Sequence, residues 1–227
     1  MEPGFRPPDT KKLLHREYRR QKKCKLQLLK DCSIKPDVEM PVAGMVGRLS
    51  SQKGMDLVLE SIGEIISTGV NLVILGRGDD FFQKKLSDAV KTYKGRVYVN
   101  IGFEDHLAHK IYAGADIFLM PSLYEPCGLG QLIAMRYGTI PVARKTGGLA
   151  DTVMDYEAPT GNGTGFLFSG YAPSAFSECL KRAICVYSDK LKWQKLILNA
   201  MKMDFSWGSS AKKYIELYSR AIKLKRQ

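Results

Sequence analysis

The apolar positions of this chain change period several times along its length. Residues 42–46, 71–75, 97–101, 117–120 and 140–143 are short, nearly unbroken apolar runs. They have the length and pattern of strands buried on both faces of a parallel sheet. Between them, apolar side chains recur three and four residues apart: Leu57, Val58, Ile62, Ile65 and Ile66 within 54–68, Phe82, Leu86 and Val90 within 79–94, Leu107 and Ile111 within 105–113, and Leu129, Leu132, Ile133 and Met135 after the fourth run. That spacing lays one apolar face along a helix. Strand and helix alternating at this rhythm predict an α/β fold, a largely parallel sheet flanked by helices and joined by right-handed crossovers. Function is then expected at the loops that leave the strands. From residue 172 the pattern is helical alone, over 172–187, 191–203 and 209–225, with Asp204-Phe205-Ser206-Trp207-Gly208 as the break before the last helix.

The 227 residues are 44% hydrophobic, enough to bury the core of one α/β domain. No stretch reaches the roughly 18 consecutive apolar residues of a membrane helix. Residues 1–9 are polar and rich in proline, which reads as a linker and not as a signal peptide. Cysteines at 24, 32, 127, 179 and 185 form no Cys-x-x-Cys pair and are odd in number, so free thiols in a reducing compartment and no structural zinc are expected. A formal charge of +12 suits a phosphate-bearing or otherwise acidic partner, or simply a soluble basic surface. Much of it lies in 11–30, where basic residues alternate with Leu13, Leu14, Tyr18, Leu26, Leu28 and Leu29. This basic, partly amphipathic helix, continuous or interrupted, has three readings: a solvated face with a few core contacts, a surface for acidic polymer through Lys22, Lys23 and Lys25, or a membrane surface. Sparse aromatics argue against nucleic acid, and the solvated face is the simplest.

Chemistry gathers in the loops. Gly47-Arg48-Leu49-Ser50-Ser51-Gln52-Lys53-Gly54 follows the first run and places two cations before a helix. Cations beside backbone donors suit a diphosphate, although the spacing of a P-loop is missing. Gly76-Arg77-Gly78 ends the second run, but Phe81 stands where a dinucleotide fingerprint needs its third glycine. A turn passing close to a ligand stays open there. Phe103 follows the third run and could stack on a base or belong to the core. Residues 121–135 carry Glu125-Pro126-Cys127-Gly128-Leu129 between a strand end and a helix start. A carboxylate there opposes phosphate but can accept hydrogen bonds from sugar hydroxyls, and the helix start favours anions. Cys127 has no neighbouring base and reads as a packing or backbone-contact residue. Lys145-Thr146-Gly147-Gly148 leads from the fifth run into a helix, with Asp151 read as a first-turn charge. His106 and His109 lack a third ligand, so no metal site is assigned.

Taken in order, these loops resemble the C-terminal half of an ADP-glucose-dependent glycogen or starch synthase of the bacterial and plant type. Residues 48–54 are similar to its Arg-Leu-Ser/Thr-x-Gln-Lys-Gly loop, 125–129 to its Glu-Pro-Cys-Gly-Leu signature, 146–152 to its next glycine loop, and 203–207 to the segment before its terminal helix. The resemblance runs from about Phe5 to about Leu224. It implies the Rossmann-like, donor-binding C-terminal domain of a GT-B glycosyltransferase: 1–10 a linker remnant, 11–208 the nucleotide-sugar-binding domain, and 209–227 a helix crossing to an N-terminal domain that this sequence lacks. The implied reaction moves glucose, with retention, from ADP-glucose to the non-reducing 4-hydroxyl of an α-1,4-glucan in glycogen or starch synthesis. This half is expected to be inactive alone. The resemblance assigns Arg48, Lys53 and Glu125 to catalysis: Arg48 and Lys53 on the diphosphate, Glu125 on the transferred glucose. It assigns Phe103 to the region of adenine, and the backbone of Cys127, Gly128 and Leu129 to sugar and phosphate oxygens. It implies no cofactor or metal beyond ADP-glucose as donor substrate, partners limited to ADP-glucose or ADP and the glucan, no nucleic acid or membrane, and a bacterial cytoplasm or a plastid as location. Gly130 departs from the family, which usually has Thr there, and altered donor binding is expected. A GT-B transferase using a UDP- or GDP-sugar, or a non-catalytic glucan- or partner-binding module, is the alternative.

Overall fold

The computed structural model describes residues 10–225, with side chains from Arg20 onward. Residues 1–9, where the linker is expected, lie outside it, as do the side chains of Leu13, Leu14 and Tyr18. The strands β1 (Val42–Val46), β2 (Asn71–Gly76), β3 (Val97–Ile101), β4 (Ile117–Met120), β5 (Ile140–Arg144) and β6 (Phe166–Phe168) form one sheet in the order β3-β2-β1-β4-β5-β6. Every neighbouring pair is parallel. The helices are α1 (Thr10–Asp31), α2 (Met55–Ser67), α3 (Asp80–Thr92), α4 (Asp105–Gly114), α5 (Gly130–Tyr137), α6 (Gly147–Thr152), α7 (Pro173–Ser188), α8 (Lys190–Met201) and α9 (Trp207–Lys225). The parallel sheet expected from the apolar runs is present, with β6 added at one edge. Only three residues long, that strand gives no periodicity to read.

Side-chain alternation divides the core into two layers. Leu72 and Ile74 of β2 face one layer together with residues of α2, α3, α7 and α8. Val73 and Leu75 face the other, with residues of α1 and α4. All six residues of β2 are buried, which accounts for its unbroken apolar run. The strand order reverses direction between β1 and β4, and such a switch point opens a crevice at the carboxyl ends of those two strands.

At the opposite end of β4, Lys25 of α1 is 2% exposed. Its Nζ lies 2.6 Å from Asp116 Oδ2 and donates to Val38 O and Tyr187 Oη, each at 2.9 Å. Asp116 Oδ2 also accepts from Val42 N at 2.8 Å. Burial holds the Asp116 carboxyl above its ordinary range, and Lys25 offsets only part of that shift. Lys25 is therefore no surface charge for an acidic polymer, and α1 is one uninterrupted helix. No helix among the described residues is long and apolar enough to cross a membrane.

Candidate active site

The loop that leaves β1 turns sharply to reach the switch point. A 3-10 turn at Ser51–Lys53 ends at Gly54, whose backbone is left-handed with φ +75°. A side chain at Gly54 would strike the carbonyl of Pro121, so glycine is what lets this loop lie against the loop leaving β4. Leu123 N donates to Gln52 O at 2.9 Å and completes the seam. The result places Lys53 Nζ 2.5 Å from Glu125 Oε2. Ser122 Oγ donates to the same carboxylate oxygen at 3.2 Å. Glu125 is 7% exposed, and a carboxylate that dry requires a partner. Lys53 supplies it and cancels the negative charge that would otherwise repel an arriving anion. Arg48 stays exposed, donating from Nη2 to Gln52 Oε1 at 2.7 Å. Arg48, Lys53 and Glu125 are thus carried by two loops that meet above β1 and β4.

Glycines hold the next layer of the site. Gly128 has φ +72°, and a Cβ there would also press into the Gln131 side chain. Gln131, fully buried, donates from Nε2 to Cys127 O at 3.1 Å, Gly128 O at 2.9 Å and Thr152 Oγ1 at 3.1 Å. Gly148 N, at the start of α6, donates to Glu125 O at 3.0 Å and Pro126 O at 3.2 Å. Arg144 braces the loop from β5. Its Nη1 donates to Leu123 O at 2.5 Å and Nε to Ser169 O at 3.2 Å, and the guanidinium lies over the Tyr171 ring. Tyr171 Oη donates to Asp56 Oδ1 at 2.6 Å, and burial, with that carboxylate, pushes the phenol above its ordinary value. Ser122, Gln131, Arg144 and Tyr171 were missed by sequence reasoning. Gln131, a polar residue between Leu129 and Leu132 on a short helix, left the clearest trace.

Phe103 is 79% exposed just beyond the carboxyl end of β3, two strand spacings of about 4.8 Å from β1. It faces solvent at the ligand end of the sheet and is not core. The Cys127 side chain is exposed, so its contacts are those of its backbone. Gly76 and Gly78 lie against the neighbouring loop: a side chain at Gly76 would hit Gly47 O and one at Gly78 would hit Leu49 O, and Asp79 N donates to Leu49 O at 2.9 Å. Asp151 is fifth in α6, whose first turn holds no acid, so the first-turn reading is corrected. His109 Nδ1 lies 3.1 Å from Tyr137 Oη. Gly130 begins α5 with its Cα toward Phe118, and a Cβ there would come within 3.0 Å of that ring. A threonine at this place requires the ring to give way.

The sequence matches the family of glycosyl transferases group 1 over residues 33–203. It is 44% identical to the glycogen synthase of Desulforudis audaxviator over 221 residues, covering 95% of this chain and 44% of that protein. It is 48% identical to that of Syntrophotalea carbinolica over 200 residues, covering 88% and 41%. Among solved structures, the catalytic domain of starch synthase IV from Arabidopsis thaliana, bound to ADP and acarbose, superposes with a TM-score of 0.80 at 38% identity, covering 89% of this chain and 43% of that one. A sucrose-phosphate synthase from Thermosynechococcus elongatus, 23% identical with a TM-score of 0.61, shares the fold. The chain therefore spans less than half the length of these relatives. Its sheet is that of the C-terminal domain of a GT-B glycosyltransferase, and the chain belongs to the group 1 glycosyl transferases.

Proposed function

We propose that this chain is the donor-binding domain of a glycogen or starch synthase, which transfers glucose with retention from ADP-glucose to the non-reducing 4-hydroxyl of an α-1,4-glucan. The observation that carries this reading is the meeting of Lys53 and Glu125 at the switch point, with Arg48 exposed on the same loop as Lys53. Support comes from the glycogen synthase relatives and from the starch synthase structure with ADP bound. As the bond between glucose and ADP breaks, negative charge grows on the leaving diphosphate. Fixed cations and backbone N–H groups aimed there stabilise that charge. Arg48 and Lys53 are the cations, and with two of them the donor needs no metal. When Lys53 turns to phosphate, the Glu125 carboxylate is left to accept hydrogen bonds from glucose hydroxyls. Phe103 and Leu129, both exposed, offer the nucleoside an apolar rim. The relatives are more than twice as long as this chain, and on this reading the donor-binding domain taken by itself does not complete the transfer. Five free thiols suit the bacterial cytoplasm or a plastid.

The test is calorimetric titration with ADP in buffer containing a chelator. Charge-assisted hydrogen bonds are worth roughly 1.5–3 kcal/mol each, so Arg48→Ala/Lys53→Ala is expected to weaken ADP by at least about tenfold. Unchanged affinity in the double variant would move the site elsewhere, and binding that needs added metal would overturn the metal-free reading.

A further inference from the structure

We infer that Gln131 is a positioning residue that turns the backbone N–H groups of Cys127, Gly128 and Leu129 toward the donor diphosphate. The inference rests on the donor-site reading above. In a planar trans peptide unit the carbonyl and the N–H of the next residue point in opposite directions, and the described residues contain no cis bond. The carbonyl of Pro126 is drawn inward by Gly148 N, and those of Cys127 and Gly128 by Gln131 Nε2. The N–H groups of Cys127, Gly128 and Leu129 must then face the other way, toward the side where Cys127 and Leu129 are exposed. None of the three donates to a protein acceptor among the described residues. They form a row of free donors leading into the start of α5, whose own N-cap makes no side-chain hydrogen bond. Successive N–H groups of this kind bind anions.

Gln131 itself shows the other half of the arrangement. Its side chain is fully buried, and its Oε1 has no hydrogen-bond partner among the described residues. A buried amide oxygen left unpaired is costly, and here the cost accompanies an Nε2 committed to Cys127 O, Gly128 O and Thr152 Oγ1. Glutamate would set a charged oxygen against two carbonyl oxygens and place negative charge beneath the anion. Methionine would fill the space but release both carbonyls, freeing the peptide units to rotate. Thr152 fixes the amide from behind, since its Oγ1 accepts from Gln131 and donates to Gly148 O at 2.6 Å. Glutamine therefore serves here in a way that its closest replacements do not.

The experiment compares ADP and AMP binding by calorimetry in the unmodified chain, Gln131→Met and the milder Thr152→Val, each with its thermal unfolding recorded. Free N–H groups aimed at a diphosphate predict a roughly ten- to hundredfold loss of ADP affinity in Gln131→Met. AMP should lose less, so the ratio of ADP to AMP affinity falls. Thr152→Val should shift the ratio in the same direction by a smaller factor. A merely structural Gln131 would lower the unfolding midpoint and weaken both nucleotides alike, and a constant ratio across the folded variants overturns the inference while leaving the donor site in place. Should Gln131→Met not fold, the ratio in Thr152→Val decides. Failure of the unmodified chain to bind ADP overturns the donor reading itself, and this inference with it.

Discussion

Glu125 and Lys53 show how single residues settle the character of this site. A carboxylate 7% exposed next to the amino end of a helix would on its own discourage any anion from approaching. With Lys53 Nζ at 2.5 Å the pair is neutral, and Arg48 remains as exposed positive charge. Both residues were legible as members of loops, but nothing in the string reveals that the two side chains touch, because 72 positions separate them. Lys25 failed to read for the opposite reason. Its neighbours suggest a charged surface, while its partner Asp116 lies 91 positions away across the first strand. Burial pushes the thiols of Cys32 and Cys179 up to about 12, so at neutral pH they hold almost no thiolate. Cys127 and Cys185 are exposed. Iodoacetamide followed by peptide mapping should label Cys127 and Cys185 and spare Cys32 and Cys179, with saturating ADP protecting Cys127 alone. Equal labelling of Cys127 with and without ADP would place the nucleotide away from the Glu125 loop.

At the scale of elements, strands buried on both faces were the easiest to read, since a fully covered strand has no reason to interrupt its apolar run. The sixth strand and the loop contacts were not legible. Their positions depend on backbone approaches such as Gly54 to Pro121 and Gly148 to Cys127, which leave only a glycine in the sequence. The attachment of α1 depends on a buried ion pair for which the helical pattern gave no sign. Removing one member of such a pair strands the other in an apolar setting at a cost of about 3–5 kcal/mol. Urea denaturation of Lys25→Ala should therefore show a loss of that size. A loss under about 1 kcal/mol, as expected for an exposed lysine, would mean that Lys25 reaches solvent.

At the scale of the whole molecule, α9 stands apart from the core. None of the residues of α9 is buried, and Tyr214, Leu217 and Tyr218 are 56%, 58% and 61% exposed along it. We propose, from the family pattern and from relatives more than twice as long, that this helix packs against the remainder of such an enzyme. Changing Tyr214, Leu217 and Tyr218 to serine should then leave the unfolding midpoint within about 2 °C and abolish any self-association seen by sedimentation. A large drop in the midpoint would assign α9 to the core of this domain.

The proposed donor is an adenosine diphosphate sugar held across β1 and β4. Phosphate and hexose contacts look alike in transferases that use other bases, so base choice is what separates an adenosine donor from the others. Titration of the chain with ADP, ADP-glucose and UDP should give binding by the first two and at least tenfold weaker binding by UDP, a gap of about 1.4 kcal/mol. UDP binding as tightly as ADP, or in preference to it, would rule out an adenosine donor and point to a group 1 transferase with a different donor.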